Sequence, residues 1–447
     1  VRACVRTDIR ENMLTRRALL RAAMVAPLAG CGTGVLGTPG AARIAVSWSG
    51  SELAAFRAVL DALQLSSSVD VIPLGDEIET ALTGGRSAPE LVMLPQAGRV
   101  RRLAEDGVLR DVPESLWLDE VEKPCYSGVW AELLYHEERP YGVPFKAADK
   151  SMVWFDRESA LECEVGTPAL WTLDFWLDRI EFLAGKDRRL LTLAAADGWA
   201  LTDLFENLLY AHDPETYAAL AAHGAAAVWE KDAVRAALHL LGSWAANPSA
   251  FAGGLGTALT MQFSDAVREV FERRRAVMVV APDFAEPVVR EAVARSGRNP
   301  AKVVGVAAFP GLAPGGPRPR ILGGDVLVLT RSADDRAKRV LAALAAPSAP
   351  LPWINGFHGF LAPNTRTDAA YSPFLRPSAE RLGDTALFGP RDEVVFDLSD
   401  QIGALGGRNG LWRILTEFLI AVDGDPFGIG PAVNDAVSAL ADRARTR

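Results

Sequence analysis

The chain has 447 residues, too many for one small core, so two domains or two large lobes are expected. Hydrophobic residues make up 49% and charged residues 23%, with 11 Trp and 18 Phe, which excludes a mostly disordered chain. The net charge of −9 argues against a nucleic-acid binder, and the densest basic run, Arg273, Arg274 and Arg275, reads as the polar face of a helix.

Residues 1–12 are polar and patternless and read as a misassigned start upstream of Met13. Arg16, Arg17 and Arg21 then lead into small apolar residues from Ala22 to Ala29, closing on Leu28-Ala29-Gly30-Cys31. That order, over 13–30, is the order of an export signal. Its apolar stretch is far below the ~20 residues that a membrane span needs. The last four residues resemble the lipobox of bacterial lipoproteins, a pattern that implies cleavage before Cys31 and acylation of its sulfur. An ordinary cleaved signal with an incidental Cys is the alternative. Thr15-Arg16-Arg17-Ala18-Leu19-Leu20 resembles a twin-arginine signal, although general-pathway signals also carry paired Arg. After lipid-bearing Cys31, the segment to residue 43 is rich in Gly, Pro, Ala and Thr and reads as a tether. With Cys4 outside the mature chain, Cys125 and Cys163 remain, to pair in an oxidising compartment or to stay as separate buried thiols.

The mature chain opens with Ile44, Val46 and Trp48 alternating with small residues, which predicts a strand. Leu53, Phe56, Leu60 and Leu63 share a helical face. Strands follow at 69–74 and 90–94, separated by a helix over 77–83 and followed by a helical stripe of Ala97, Val100 and Leu103. This strand–helix alternation predicts a parallel α/β domain. Further on, the patterns predict a strand at 152–155, helices at 173–183 and 199–210, an Ala-rich helical region at 211–246 and a helix around 267–271. Strands are predicted at 276–280, 303–309 and 326–330, a Pro/Gly loop at 311–320, and a helix through Ala337, Val340, Leu341 and Leu344. Residues 355–378 read as loop, and two helices close the chain near 411–422 and 430–444.

No catalytic or metal motif survives inspection. His136, His212, His223, His239 and His358 include no pair at metal-ligand spacing, and there is no nucleophile elbow and no phosphate-binding loop. Gly254-Leu255-Gly256 reads as loop glycine, and Asp397 with Asp400, like Asp423 with Asp425, as solvated turns. A binding role without cofactor or metal is therefore expected. A secreted carbohydrate-active enzyme, which would need two facing carboxylates, and a structural lipoprotein are the rivals.

Four stretches carry a family resemblance. They are Glu90–Leu94 with Leu103-Ala104-Glu105-Asp106-Gly107-Val108-Leu109; Tyr141–Phe145 with Met152–Asp156; Phe271–Arg275 with Ala276–Val280; and Gly323–Leu329. In order and spacing they resemble the substrate-binding lipoproteins of ABC importers, extracellular solute-binding family 1, over about residues 44–440. Ala281-Pro282-Asp283-Phe284 and Phe155-Asp156 depart from the family pattern, where a Trp or Tyr and a Tyr-Asn pair are common. The resemblance implies an α/β, two-lobed periplasmic-binding-protein-like fold with several interlobe crossings. Gly142/Pro144, the turn before Ala276, and Gly323/Gly324 are the candidate crossings. Lobe 1 is expected to hold 44–143 plus 276–322, and lobe 2 to hold 144–275 plus 323–447. The implied partners are a small carbohydrate and the permease subunits of an ABC importer, for a monomer anchored by lipid at the outer face of the cytoplasmic membrane. A glycerophosphodiester or a polyamine remains open as the solute.

Site residues are expected where strands end or the chain crosses. Trp48, Asp76 and Gln96 follow the first three strands, each balanced against a core or solvated role. Lys146 and Asp149 follow the first crossing. Asp283 and Phe284 follow the 276–280 strand. Gly324 permits close backbone approach and Asp325 is the best acidic contact. Phe357 and His358 sit in a Gly-bracketed loop. Trp199 and Trp353 are candidates to stack on a sugar ring.

Overall fold

The computed structural model describes residues 40–83, 88–384, 394–422 and 424–446. The expected signal at 13–30, Cys31 and most of the expected tether lie outside them. Among the described residues there are thirteen strands: β1 (Ala42–Val46), β2 (Val69–Pro73), β3 (Leu91–Leu94), β4 (Leu109–Arg110), β5 (Tyr135–His136), β6 (Arg139–Pro140), β7 (Val143–Asp149), β8 (Met152–Asp156), β9 (Arg189–Thr192), β10 (Ala276–Val280), β11 (Val304–Ala308), β12 (Ile321–Thr330) and β13 (Val395–Phe396).

Two sheets carry the architecture. The first runs β13-β12-β3-β1-β2, with β4 and β7 also paired to β12, and the second runs β11-β8-β10-β9. In the first sheet β1 lies parallel between β2 and β3, with helix Gly50–Ala62 as the crossover that follows it. A parallel strand covered on both faces has no polar side to show, and Ile44, Ala45 and Val46 are all buried. The second sheet separates two cores by simple alternation. Met152 and Trp154 of β8 face the first core, while Val153 and Phe155 face a second core built with Trp176, Phe205, Leu238 and Trp244.

The chain passes between the sheets at 150–151, where β7 hands over to β8, and at 309–320, where β11 hands over to β12. These two crossings bind each other. Lys150 N donates to Ile321 O at 2.8 Å, Phe309 N to Ser151 O at 2.8 Å, and Ile321 N to Ser151 Oγ at 2.9 Å. After β13 the chain crosses once more, since helices Leu411–Val422 and Ile429–Arg445 bury Leu415, Phe418, Val437 and Leu440 in the second core.

Several expectations are corrected. β10 and β11 pair with β8, so 276–280 and 304–308 belong to the second sheet, and the turn before Ala276 is no crossing. β7 and the whole of β12 belong to the first sheet, so the first crossing falls at 150–151 rather than at Gly142/Pro144, and Gly323/Gly324 lie within β12. An apolar run such as Ala276–Val280 shows that a strand is buried, not which sheet receives it. Cys125 and Cys163 are free and buried in different cores, so they do not pair. The segment read as loop around 355–378 is bracketed by helices Leu351–Gly356 and Arg376–Asp384.

Gly324 is the tightest point of the β7–β12 pair. Its φ is +152°, and a Cβ there would fall on the Lys146 carbonyl oxygen and press on Trp130. Neither neighbour can yield, because one is sheet backbone and the other a buried ring. Gly324→Ala is expected to cost about 2–4 kcal/mol, read as a lowered midpoint in denaturant unfolding.

Candidate functional site

The C-terminal edge of the first sheet gathers the aromatic and charged residues that the sequence singled out. Trp48, two residues beyond β1, is buried against Phe56 (centroids 5.1 Å apart), Phe145 (5.9 Å) and Trp353 (5.0 Å). Trp353 in turn meets Phe360 at 5.1 Å. A second aromatic group comes from the helical side: Phe284, just after β10, packs at 5.5 Å on Trp199 and at 5.5 Å on Phe263.

Lys146 joins the two groups. Its side chain is only 3% exposed, and its Nζ donates to Glu52 Oε1 at 2.6 Å. The same Nζ lies 5.0 Å from the Trp353 ring centre and 5.2 Å from that of Phe284. Glu52 stands in the first turn of helix Gly50–Ala62, where a carboxylate is favoured by the helix dipole. Burial works against the Lys146 charge, but Glu52, Asp325 and Asp283 together hold its pKa above the ordinary value.

The β7–β12 register sets Lys146 opposite Asp325. Burial pushes the Asp325 carboxyl up to about 7, against the opposing pull of Lys146 and of a hydrogen bond from Trp48. Gln96 bridges to Gly324 at the end of β3 and accepts from Arg99 at 3.2 Å. Asp283 is fully buried; its Oδ1 accepts from Asp149 N at 2.7 Å, and its Oδ2 has no partner. Burial raises its pKa well above the usual carboxylate range.

The remaining candidates are placed differently. Asp149 turns into the crossing: Oδ1 accepts from Ser151 N at 3.1 Å, and Oδ2 from Ser378 Oγ at 2.7 Å and Arg381 at 3.0 Å. These bonds occupy its carboxylate at the crossing. Phe357 and His358 are half-buried in a turn where His358 has a φ of +63°, and Gly359 N donates to Glu286 Oε2 at 3.2 Å. Asp76 lies in the short turn Gly75–Glu77, and its side chain is outside the description.

A second charged cluster was missed by the sequence. Lys150 Nζ, at the first crossing, donates to Asp203 Oδ1 at 3.0 Å and to Asp397. Glu206 accepts from Tyr217 Oη at 2.9 Å, Leu398 N at 2.7 Å and Ser399 N at 3.0 Å. Asp397 and Asp400, expected in solvated turns, are buried here; Asp397 is paired with Lys150, distant in sequence, and Asp400 lies beside that pair. The available signal was the polar row Asp203, Glu206 and Asn207 on an otherwise apolar helix. Among the described residues no group of three or more His, Cys, Asp or Glu is placed to hold a metal, and no helix is long and apolar enough to cross a membrane.

No family model matches the chain. The osmoprotective compounds-binding protein GgtB of Synechocystis sp. is 25% identical over 348 residues, 75% of this chain and 77% of that protein. Two solved structures share the fold. One is the bacterial solute receptor AcbH, described as exclusive for β-D-galactopyranose, with a TM-score of 0.73, 16% identity, and coverage of 91% of this chain and 98% of that one. The other is the GacH receptor of Streptomyces glaucescens, solved unliganded and with acarbose, with a TM-score of 0.65, 16% identity and the same coverage. The fold is thus the two-lobed α/β fold of the periplasmic binding proteins, as the resemblance implied.

The Lys150 cluster makes a stability prediction. Burial raises the Asp203 pKa to about 7, and burial with neighbouring carboxylates lifts Glu206 and Asp400 well above the carboxylate range. Raised acid pKa values mean that the folded chain binds more protons than the unfolded one between about pH 4 and pH 7. This contribution is fully present below pH 4 and is lost as pH rises through 7. Asp203→Asn is therefore expected to flatten the fall in melting temperature between pH 5.5 and 8 relative to the unaltered chain, as read by thermal unfolding at each pH.

Proposed function

We propose that the chain is the exported, lipid-anchored solute-binding component of an ABC importer, capturing a small uncharged carbohydrate or sugar-like solute and delivering it to a membrane permease. The observation that carries this is the meeting of two aromatic groups, Trp48 with Trp353 and Phe284 with Trp199, around Lys146, Asp325 and Asp283. Sugar rings present apolar faces to aromatic side chains, and their hydroxyls need buried donors and acceptors to offset lost water. Gln96 and the Gly324 backbone lie on the same edge, and Phe357 and His358 lie in the turn tied to helix Glu286–Arg295. Support also comes from the similar chains, one named for osmoprotective compounds and one for a galactopyranose preference.

With three carboxyls near one ammonium, the site disfavours strongly anionic solutes. Contacts supplied from both sheets tie solute capture to the relative position of the lobes, a difference that a permease can read. Nothing in this scheme alters a bond of the solute.

Calorimetry against galactose, sucrose, trehalose, raffinose and a glycerophosphodiester tests the reading. A neutral carbohydrate should bind with a change in Trp emission, and Phe284→Ala should weaken it about thirtyfold, near 2 kcal/mol. No heat and no spectral change with any of them would end it. The anchor is tested separately: Cys31→Ser should move the chain from the membrane fraction to the soluble one, because acyl chains supply the attachment.

A further inference from the structure

Two aromatic faces and a carboxylate around one point make a seat for a cation. Trp353, Phe284 and Glu52 make such a seat, and the chain's own Lys146 ammonium occupies it. We infer that Lys146 sets the chemical class of the solute: it fills the cation seat and so rejects quaternary ammonium compounds, while it offers hydrogen-bond donors to hydroxyl oxygens. This rests on the solute-binding reading above.

The ammonium has three N–H groups. One reaches Glu52, and no other hydrogen bond to Nζ is made among the described residues. The ammonium lies beside the two rings in a nearly dry setting, where an unmet donor is costly. An incoming hydroxyl oxygen relieves that cost. Its own proton then finds acceptors close by: Asp283 Oδ2 is buried without a partner, and Asp325 stands opposite Lys146 in the strand pair. A hydroxyl both donates and accepts, so it suits such a donor–acceptor set.

A quaternary ammonium group can do neither. To enter, it would have to expel Lys146 from between the rings and break its pair with Glu52, leaving a buried ammonium uncompensated. Lys146 cannot withdraw with its strand, because its backbone is locked in the β7–β12 ladder against Gly324. The tethered ammonium therefore outcompetes a free one.

The test uses the unaltered chain with Lys146→Ala and Lys146→Met, each checked for folding by circular dichroism and melting temperature. Calorimetry is run with galactose, sucrose, trehalose, raffinose and choline. The unaltered chain should bind at least one sugar and no choline. Lys146→Ala empties the seat between Trp353, Phe284 and Glu52; it should lose at least about tenfold in sugar affinity and gain choline binding. Choline binding by the unaltered chain, unchanged sugar affinity in Lys146→Ala, or no choline gain in that variant would each overturn the inference. If Lys146→Ala fails to fold, Lys146→Met keeps the apolar stem and drops the charge, and sugar affinity retained by it overturns the inference equally. A chain that binds no sugar sinks the solute reading instead, and the choline gain in Lys146→Ala still decides the role of Lys146.

Discussion

Two lengths of backbone run side by side between the sheets, and their pairing sets Lys146 opposite Asp325 in the site. Lys150 and Ser151 on one crossing bond to Ile321 and Phe309 on the other. Backbone groups buried at such a joint must be paired, and pairing the crossings with each other satisfies them without a covering element. The ladder continues into β7 and β12, where it sets Lys146 opposite Asp325 on the side of the aromatic groups. One residue past the end of β7, Lys150 enters the acidic cluster of the helical side. Three polar positions within five residues thus point to the aromatic groups, to the crossing and to the acidic cluster, in the order Lys146, Asp149, Lys150.

Buried ions at a joint are weak sources of stability. Removing two charges from water costs several kcal/mol per ion, and mutual attraction offsets this only with good geometry. The two lysines meet this condition unequally. Lys150 has two carboxylates in direct contact, with Glu206 and Asp400 beside them, so its cluster carries more acid than base and pushes several of those carboxyls toward the neutral form. Lys146 has a single hydrogen bond and two rings. The first arrangement is nearly complete in itself. The second leaves donor capacity unused beside an unpaired carboxyl oxygen, and an incomplete polar network in a dry place is what a polar ligand can complete.

Where apolar periodicity was clear, the fold was legible. β1, β2 and β3 and the helix after β1 fall where alternation and the helical stripe predict them, and the helix Trp199–His212 matches its stripe closely. Legibility failed where polar residues go inside. β7 was not read as a strand because Lys146 and Asp149 interrupt its apolar run, yet all seven of its residues are buried. Asp397 looked like a turn residue because its cation lies 247 positions away. Trp48, Lys146, Phe284 and Asp325 were singled out by a topological rule, that functional groups collect where strands end and chains cross, and the structure places them together. Asp149 satisfied the same rule, yet its carboxylate turns to Ser151, Ser378 and Arg381 at the crossing, since the rule places the backbone and leaves the direction of the side chain open.

The direction of a side chain at a crossing is decided by which side can satisfy it. Asp149 finds a backbone N–H, a serine hydroxyl and an arginine on the hinge side, enough to fill its acceptors. Asp283 finds only the Asp149 N–H, and its second oxygen stays unmet at full burial. A carboxyl in that position is either neutral or waiting for a donor, and burial favours the neutral form. A neutral carboxyl can donate as well as accept, which suits it to hydroxyl partners better than to ions. Burial lifts Asp325 as well, to about 7, against the pull of Lys146. The aromatic rings exclude water, and exclusion of water shifts these two carboxyls toward the neutral form beside one retained ammonium, an arrangement that supports the proposed uncharged, hydroxylated guest.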